Sequence, residues 1–367
     1  MSDPFKATLC SVMAAALAFG FFHHVAPDRG DAFERLHIFL FNLVSGGTSI
    51  LWFAQGRGRL TPRLGAFFIL AALFAVSAFF DWYGLSAALC LGLFAIVESV
   101  RIKRFSFFPA RFFDPRADSS EKFLEASLLC LSIGLLLCCL AILDTSRFHI
   151  VNSPKFSLYT FFLGFSFPVS LVSFSMIFKI VPPARTKGEM LAHNAAFWLL
   201  NLGVIIFFAF ILAGSAAGET AASITLYFAV LLTWRILHGA GEPGQPRAIL
   251  LSGLGFLLLT ALTGIAFILF ELAFGAPPPG RFLLRLHAFL ALYGWNLSGL
   301  VVLLRLSDFP LALSPRRAIG LHWLVVAVAA PAGYESGPAA IFAVILYAAF
   351  LRTVLFAPRR ARERTSP

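Results

Sequence analysis

Charge is what this 367-residue chain has least of: Asp, Glu, Lys and Arg together make up 13% of it, against a 59% hydrophobic fraction. A soluble domain is about a quarter charged and roughly half apolar. The shortage therefore excludes a water-soluble fold and makes lipid the solvent. Acidic residues are scarcer than basic ones, 18 against 29, for a net charge of +11. The excess is scattered through short loops between apolar runs, which argues for membrane orientation and against a nucleic-acid partner.

Cysteine is also sparse. Cys10, Cys90, Cys130, Cys138 and Cys139 all fall inside apolar runs, with no CxxC pair or metal-ligand spacing. They read as small hydrophobes without a chemical role. Neither HExxH nor GxSxG occurs, and no cluster of His, Asp or Glu marks one interface, which argues against an enzyme acting on lipid. The apolar run Ala14–Phe22 lacks a cleavage site after it and reads as a span, not a removed signal peptide.

What the chain does have is apolar segments of bilayer-spanning length, about 20 residues each. Twelve are expected: 5–26, 33–54, 64–80, 82–101, 122–144, 156–179, 189–213, 218–237, 247–274, 281–304, 317–331 and 337–357, the third and eleventh being short. Breaks such as Thr61-Pro62-Arg63, Val181-Pro182-Pro183 and Ala276-Pro277-Pro278-Pro279-Gly280 separate them. The fold class is an all-α polytopic helix bundle. It forms one transmembrane domain over residues 1–357, followed by a short basic tail, 358–367.

With twelve spans, 23 of the 29 Lys and Arg residues fall on one side and six (Arg29, Arg35, Arg147, Lys155, Arg281, Arg285) on the other. The positive-inside rule then puts both termini in the cytoplasm. Helical spans indicate a bacterial inner membrane, since outer-membrane proteins are barrels. The longest cytoplasmic loop, Arg101–Glu121, mixes Arg and Lys with Phe and is expected to lie on anionic headgroups, with a partner-docking role as the alternative.

Polar side chains inside spans are the functional candidates. Of the eight histidines, His37 and His287 enter from the outer side at matched depth, in Arg35-Leu36-His37-Ile38-Phe39-Leu40 and Arg285-Leu286-His287-Ala288-Phe289-Leu290. Below His37 lie Ser45, Gly46, Gly47 and Thr48; below His287 lie Ala291, Gly294 and Ser298. Such strips admit either a neighbouring helix or the flat face of a macrocycle. Two neutral imidazoles on different helices can hold a haem iron from both sides. Arg35 and Arg285 would then meet the propionates; their ordinary role is snorkelling to headgroups. Glu98 and Glu125 near the inner ends, and Glu271 near the outer end of span nine, are the intramembrane carboxylates, with Glu271 expected to be the one that matters.

His287-Ala288-Phe289-Leu290-Ala291-Leu292-Tyr293-Gly294 resembles the tenth helix of haem–copper oxidase and nitric oxide reductase catalytic subunits. Arg35-Leu36-His37-Ile38-Phe39-Leu40-Phe41-Asn42 is similar to their second. The match covers about 40 of the 367 residues. The resemblance, which extends to the NnrS-type proteins of nitric oxide stress, implies a twelve-span scaffold with cytoplasmic termini. It also implies one haem b between His37 and His287, serving electron transfer or gas binding, and a redox partner or partner subunit.

The chain departs from that pattern at a low-spin haem ligand and in its copper site. The second tenth-helix histidine falls at Phe289, the sixth span has Phe167-Pro168-Val169 and no histidine, and His193-Asn194 of the seventh lies at the wrong end of the membrane. Oxygen or nitric oxide reduction is therefore not expected, and whether the chain is an enzyme stays open, leaning against.

The alternatives are a twelve-span secondary transporter and a non-catalytic assembly or sensory subunit. The transporter reading lacks a visible six-span repeat, and the loop Gln55–Arg63 lacks the major-facilitator Asp.

Overall fold

The computed structural model describes residues 2–56, 60–150, 162–239, 244–275 and 282–360. Arg57, Arg59, Lys155, Arg281, the first part of the sixth expected span and the tail from 361 lie outside the described residues. Those described are helical throughout, with no strand and one isolated bridge, Leu311 to Arg359.

Twelve main helices follow the apolar pattern: α1 (Asp3–Gly20), α2 (Pro27–Ala54), α3 (Pro62–Phe79), α4 (Tyr83–Arg104), α5 (Ser119–Phe148), α6 (Gly164–Ile180), α7 (Lys187–Ala213), α8 (Ala216–Gly239), α9 (Gln245–Phe274), α10 (Phe282–Arg305), α11 (Pro315–Glu335) and α12 (Gly337–Phe356). Ten are long and apolar enough to cross a membrane; α1 carries Asp3 and Lys6 in its first turns, and α6 is a shorter apolar helix. The chain is a membrane protein. Span eleven, expected to be short, is a helix of 21 residues: Glu335 and the Pro315-Arg316-Arg317 start lower its hydropathy without shortening it.

Local chemistry sets the ends. Thr61 caps α3 by accepting from Leu64 N at 3.1 Å, with Pro62 at the first helical position. Asp118 caps α5 through Ser120 N at 2.8 Å. Thr186 and Glu189 close a reciprocal capping box on α7. Gly214 and Gly275, both at φ +67°, terminate α7 and α9 in the left-handed conformation. At the other end of α10, buried Arg305 donates to the Leu355 and Ala357 carbonyls and pairs with Asp308 at 2.9 Å, so one guanidinium satisfies the open C-terminus of α12.

Three helices form the centre. The apolar windows of α2 and α10 are 89% and 78% buried, against 17–56% for the other eight. Most of α6 is buried as well. Their contacts run in register and in the same direction: Phe39 meets Phe165 at 5.5 Å and Gly46 meets Val169, while Asn296 bonds Ser166 and Gly299 seats on Ser173. The Phe41 and Tyr293 rings meet at a tilt, their centroids 4.9 Å apart. The remaining helices wrap this core: α3, α4 and α5 on one side, α7, α8 and α9 on another, and α11, α12 and α1 on the third.

Each central helix widens into a π-helical segment at the same level: Phe39–Gly47 in α2, Phe162–Ser166 in α6 and Leu290–Asn296 in α10. A fourth lies in α11, Leu324–Ala329. Widened turns of this kind are frequent at functional sites.

Candidate functional site

His37, His287 and His322 each stand two or three residues before a π-helical segment. Each imidazole is held by a hydrogen bond. The Tyr293 hydroxyl lies 2.8 Å from His37 Nδ1. His287 Nδ1 donates to the Thr260 carbonyl of α9 at 2.9 Å. His322 Nε2 donates to the Tyr293 carbonyl at 2.6 Å, with its ring stacked on Phe350 at 4.5 Å. Residue 293 thus links α2 through its side chain and α11 through its backbone. His322 is 4% exposed and is the histidine that sequence reasoning passed over, because it sits near an expected span end.

The two histidines singled out from sequence face different neighbours. His37 lies against α1: a Cβ on Gly20 would come 3.0 Å from its Nδ1, and the Ala16 backbone is beside it. On α10 it meets Tyr293, on the side where Phe289 packs at 6.3 Å from Tyr293 and 6.2 Å from Phe21. His287 precedes Phe289 by two residues, which is more than half a helical turn. It points the other way, to Thr260 and Gly264 of α9. The structure brings His37 to Tyr293 and His287 to Thr260, and gives no contact between the two imidazoles.

The small-residue strips are occupied by protein. Val169 fills the space beside Gly46, Phe67 that beside Gly47, Phe256 that beside Gly294, and Ser298 seats on Gly253. The arginines have partners of their own. Arg35 pairs with Asp81 at 3.0 Å, beside a cleft of about 400 Å³ at the end of α2 lined also by Asp28, Arg29 and Asp31. Arg285 pairs with Glu335 at 2.8 Å and lies over the Tyr334 ring at 4.0 Å.

These positions test a haem. As a pair bracketing one iron, His37 and His287 do not fit. For His287 taken alone, the Nδ1–H fixed on the Thr260 carbonyl leaves Nε2 as the nitrogen a metal would take. Among the described residues no group of three or more His, Cys, Asp or Glu is placed to hold a metal ion. His193 packs edge-on against Phe178 at 5.0 Å, and its neighbour Asn194 accepts from Lys122 Nζ at 2.7 Å.

One further spacing escaped the sequence reading. His23 and Asp28 stand as an H-x4-D pair, the pattern of an acyl-transfer dyad. His23 Nε2, however, engages the Tyr334 carbonyl at 3.0 Å, His24 the Gly333 carbonyl at 2.9 Å, and no hydrogen bond joins His23 to Asp28. The pair ties the end of α1 to α11.

The carboxylates sort differently from expectation. Glu271 is exposed on the helix surface. Glu98 is bound by Arg101 at 2.8 Å and by Ser132 Oγ at 2.5 Å. Glu125 is 1% exposed, and neither oxygen has a hydrogen-bond partner. Helix α5 buries it on the same face as Leu128 and Ser132. Its isolation follows from three-dimensional packing, which the linear pattern does not carry.

No family model matches the chain, and no curated protein or solved structure matches it.

Proposed function

We propose that the chain is a twelve-span protein of a bacterial cytoplasmic membrane, with both termini inside. In this reading it is built on a haem–copper-oxidase-like scaffold that binds a ligand or passes electrons and does not reduce oxygen or nitric oxide. The convergence of α2, α6 and α10 carries the proposal, because the resemblance assigns haem ligands to the second and tenth helices and copper ligands to the sixth and seventh. Here α2, α6 and α10 meet in register, each with a widened turn at the meeting level. Without histidines on α6 the copper half is missing.

His287 Nε2 would hold a haem, with Thr260 fixing the ring. Such a haem would supply one-electron chemistry or diatomic-gas binding. Arg285 stands two residues before the histidine, toward the outer end. His37 belongs to the Tyr293 contact and has a packing role.

The test is the reduced-minus-oxidised visible spectrum of protein purified from haem-replete cells. The expected b-type band survives His37→Ala and disappears in His287→Ala. Loss in both variants would restore a shared iron. A colourless wild-type protein would overturn the cofactor and leave a secondary transporter as the better reading. That second reading is favoured by the unpartnered polar groups within the bundle, Glu125 and Asn42 above all.

A further inference from the structure

The seam between α2, α6 and α10 contains hydrogen-bonding atoms that the protein leaves open. Asn42 is 1% exposed, and both its Oδ1 and Nδ2 lack a partner. Asn296, also 1% exposed, donates Nδ2 to the Ser166 carbonyl and hydroxyl at 3.3 and 3.2 Å, which leaves its Oδ1 open. Buried polar atoms are nearly always paired, and in lipid an unpaired one is costly.

Their positions on the two helices place both asparagines along the same seam. On α2, Phe39 and Gly46 touch α6, while His37 and Phe41 touch Tyr293 of α10. Asn42, Ser45 and Ser49 fall in the sector between those two contact lines, facing the middle of the three helices. On α10, Asn296 reaches Ser166, which lies one residue after Phe165 and so at the level of Asn42.

What this sector presents is mostly lone pairs. Ser45 gives its proton to the Leu40 carbonyl at 2.9 Å and Ser49 gives its own to the Ser45 carbonyl at 2.7 Å, so neither hydroxyl is an open donor and each keeps its lone pairs. The carboxamide oxygens of Asn42 and Asn296 add two more. One open donor, Asn42 Nδ2, stands against them. An excess of uncharged oxygens in a low-dielectric interior makes a region of negative potential, and hard monovalent cations are bound by such oxygens without a carboxylate.

We propose that this seam is a binding site for an alkali-metal cation. Its side-chain ligands are the oxygens of Asn42, Asn296 and Ser45. The site is independent of the haem reading: a colourless protein would still have it.

The experiment uses the full chain in lipid nanodiscs with Na+ and K+ as probes, read in two ways. The first is retention of radioactive 22Na+ and its displacement by unlabelled Na+ or K+. The second is the thermal unfolding midpoint in alkali chlorides against choline chloride at equal ionic strength. Wild-type protein is expected to retain 22Na+ saturably and to unfold several degrees higher in Na+ or K+ than in choline. Asn42→Leu and Asn296→Leu remove the retention and the alkali-specific shift. Ser307→Ala, an exposed change far from the seam, keeps both. Direct retention by the wild-type protein decides the matter even if a variant fails to fold. Equal midpoints in all salts with no 22Na+ retention would overturn the site, as would undiminished retention in both asparagine variants.

Discussion

The hydroxyl of Tyr293 and Nδ1 of His37 lie 2.8 Å apart, while Tyr347, packed edge-on to Tyr293 at 5.2 Å, has a hydroxyl with no hydrogen-bond partner among the described residues. The two phenols, equally buried, therefore predict opposite responses to losing their oxygen. Tyr293→Phe removes one of the hydrogen bonds of buried His37, leaving the one to the Ala16 backbone, and is expected to destabilise by about 1–3 kcal/mol. Tyr347→Phe removes an unsatisfied group and is expected to be neutral or stabilising. Thermal unfolding of both variants in the same detergent measures the sign, and equal losses would refute the assignment.

Gly134 of α5 and Gly164 of α6 pack backbone on backbone: a Cβ on Gly134 would lie 2.3 Å from Gly164 Cα. No flexible side chain can yield there. Gly134→Ala is expected to push α6 away from α5 and cost about 1–3 kcal/mol by overpacking. Gly65→Ala, where a Cβ meets nothing within 4 Å, is the control and should gain helix propensity. A Gly134→Ala midpoint matching Gly65→Ala would show that the helices are not in this contact.

The cytoplasmic-loop reading has a structural counterpart. Phe107, Phe108 and Phe113 are 79%, 62% and 65% exposed, and Arg101 holds the loop by donating to the Ser106 and Phe107 carbonyls at 3.1 Å. Exposed rings among basic residues seat at a headgroup interface. A Phe108→Trp probe should emit at shorter wavelength in anionic nanodiscs than in a water-exposed reference peptide, and brominated lipid should quench it. Emission characteristic of bulk water in both would refute membrane seating.

Much of this architecture can be read from the chain. Runs of apolar residues broken by Pro, Gly and charge locate nearly every helix within a few residues, because the bilayer imposes one length on all of them. The pairing of spans two and ten is also legible in the repeated Arg-Leu-His. What the repeat cannot reveal is direction. His287 and Phe289 are two residues apart and lie on opposite sides of α10, so the residue facing His37 is set by helix rotation. The π-helical segments shift that rotation further without any sequence signal of their own. Small residues below each histidine were compatible with a macrocycle or a helix; Val169, Phe67 and Phe256 supply the protein side chains that fill those spaces.

Glu125 separates a structural carboxylate from a functional one. It is buried in α5 with neither oxygen hydrogen-bonded, whereas Glu98 on the adjacent α4 is satisfied by Arg101 and Ser132. Replacing a buried ionisable group that lacks a full set of partners with an apolar one of similar size is often stabilising, by about 1–4 kcal/mol. Glu125→Leu is thus expected to raise the unfolding midpoint. Glu98→Leu, which strands the buried Arg101 guanidinium, is expected to lower it by about 3–5 kcal/mol. A protein that keeps an unpaired carboxylate at the cost of stability is using it, so the stabilised Glu125→Leu variant is the one in which any transport or binding activity should fail first. If Glu125→Leu instead unfolds as readily as Glu98→Leu, the carboxylate is part of the packing and carries no such function.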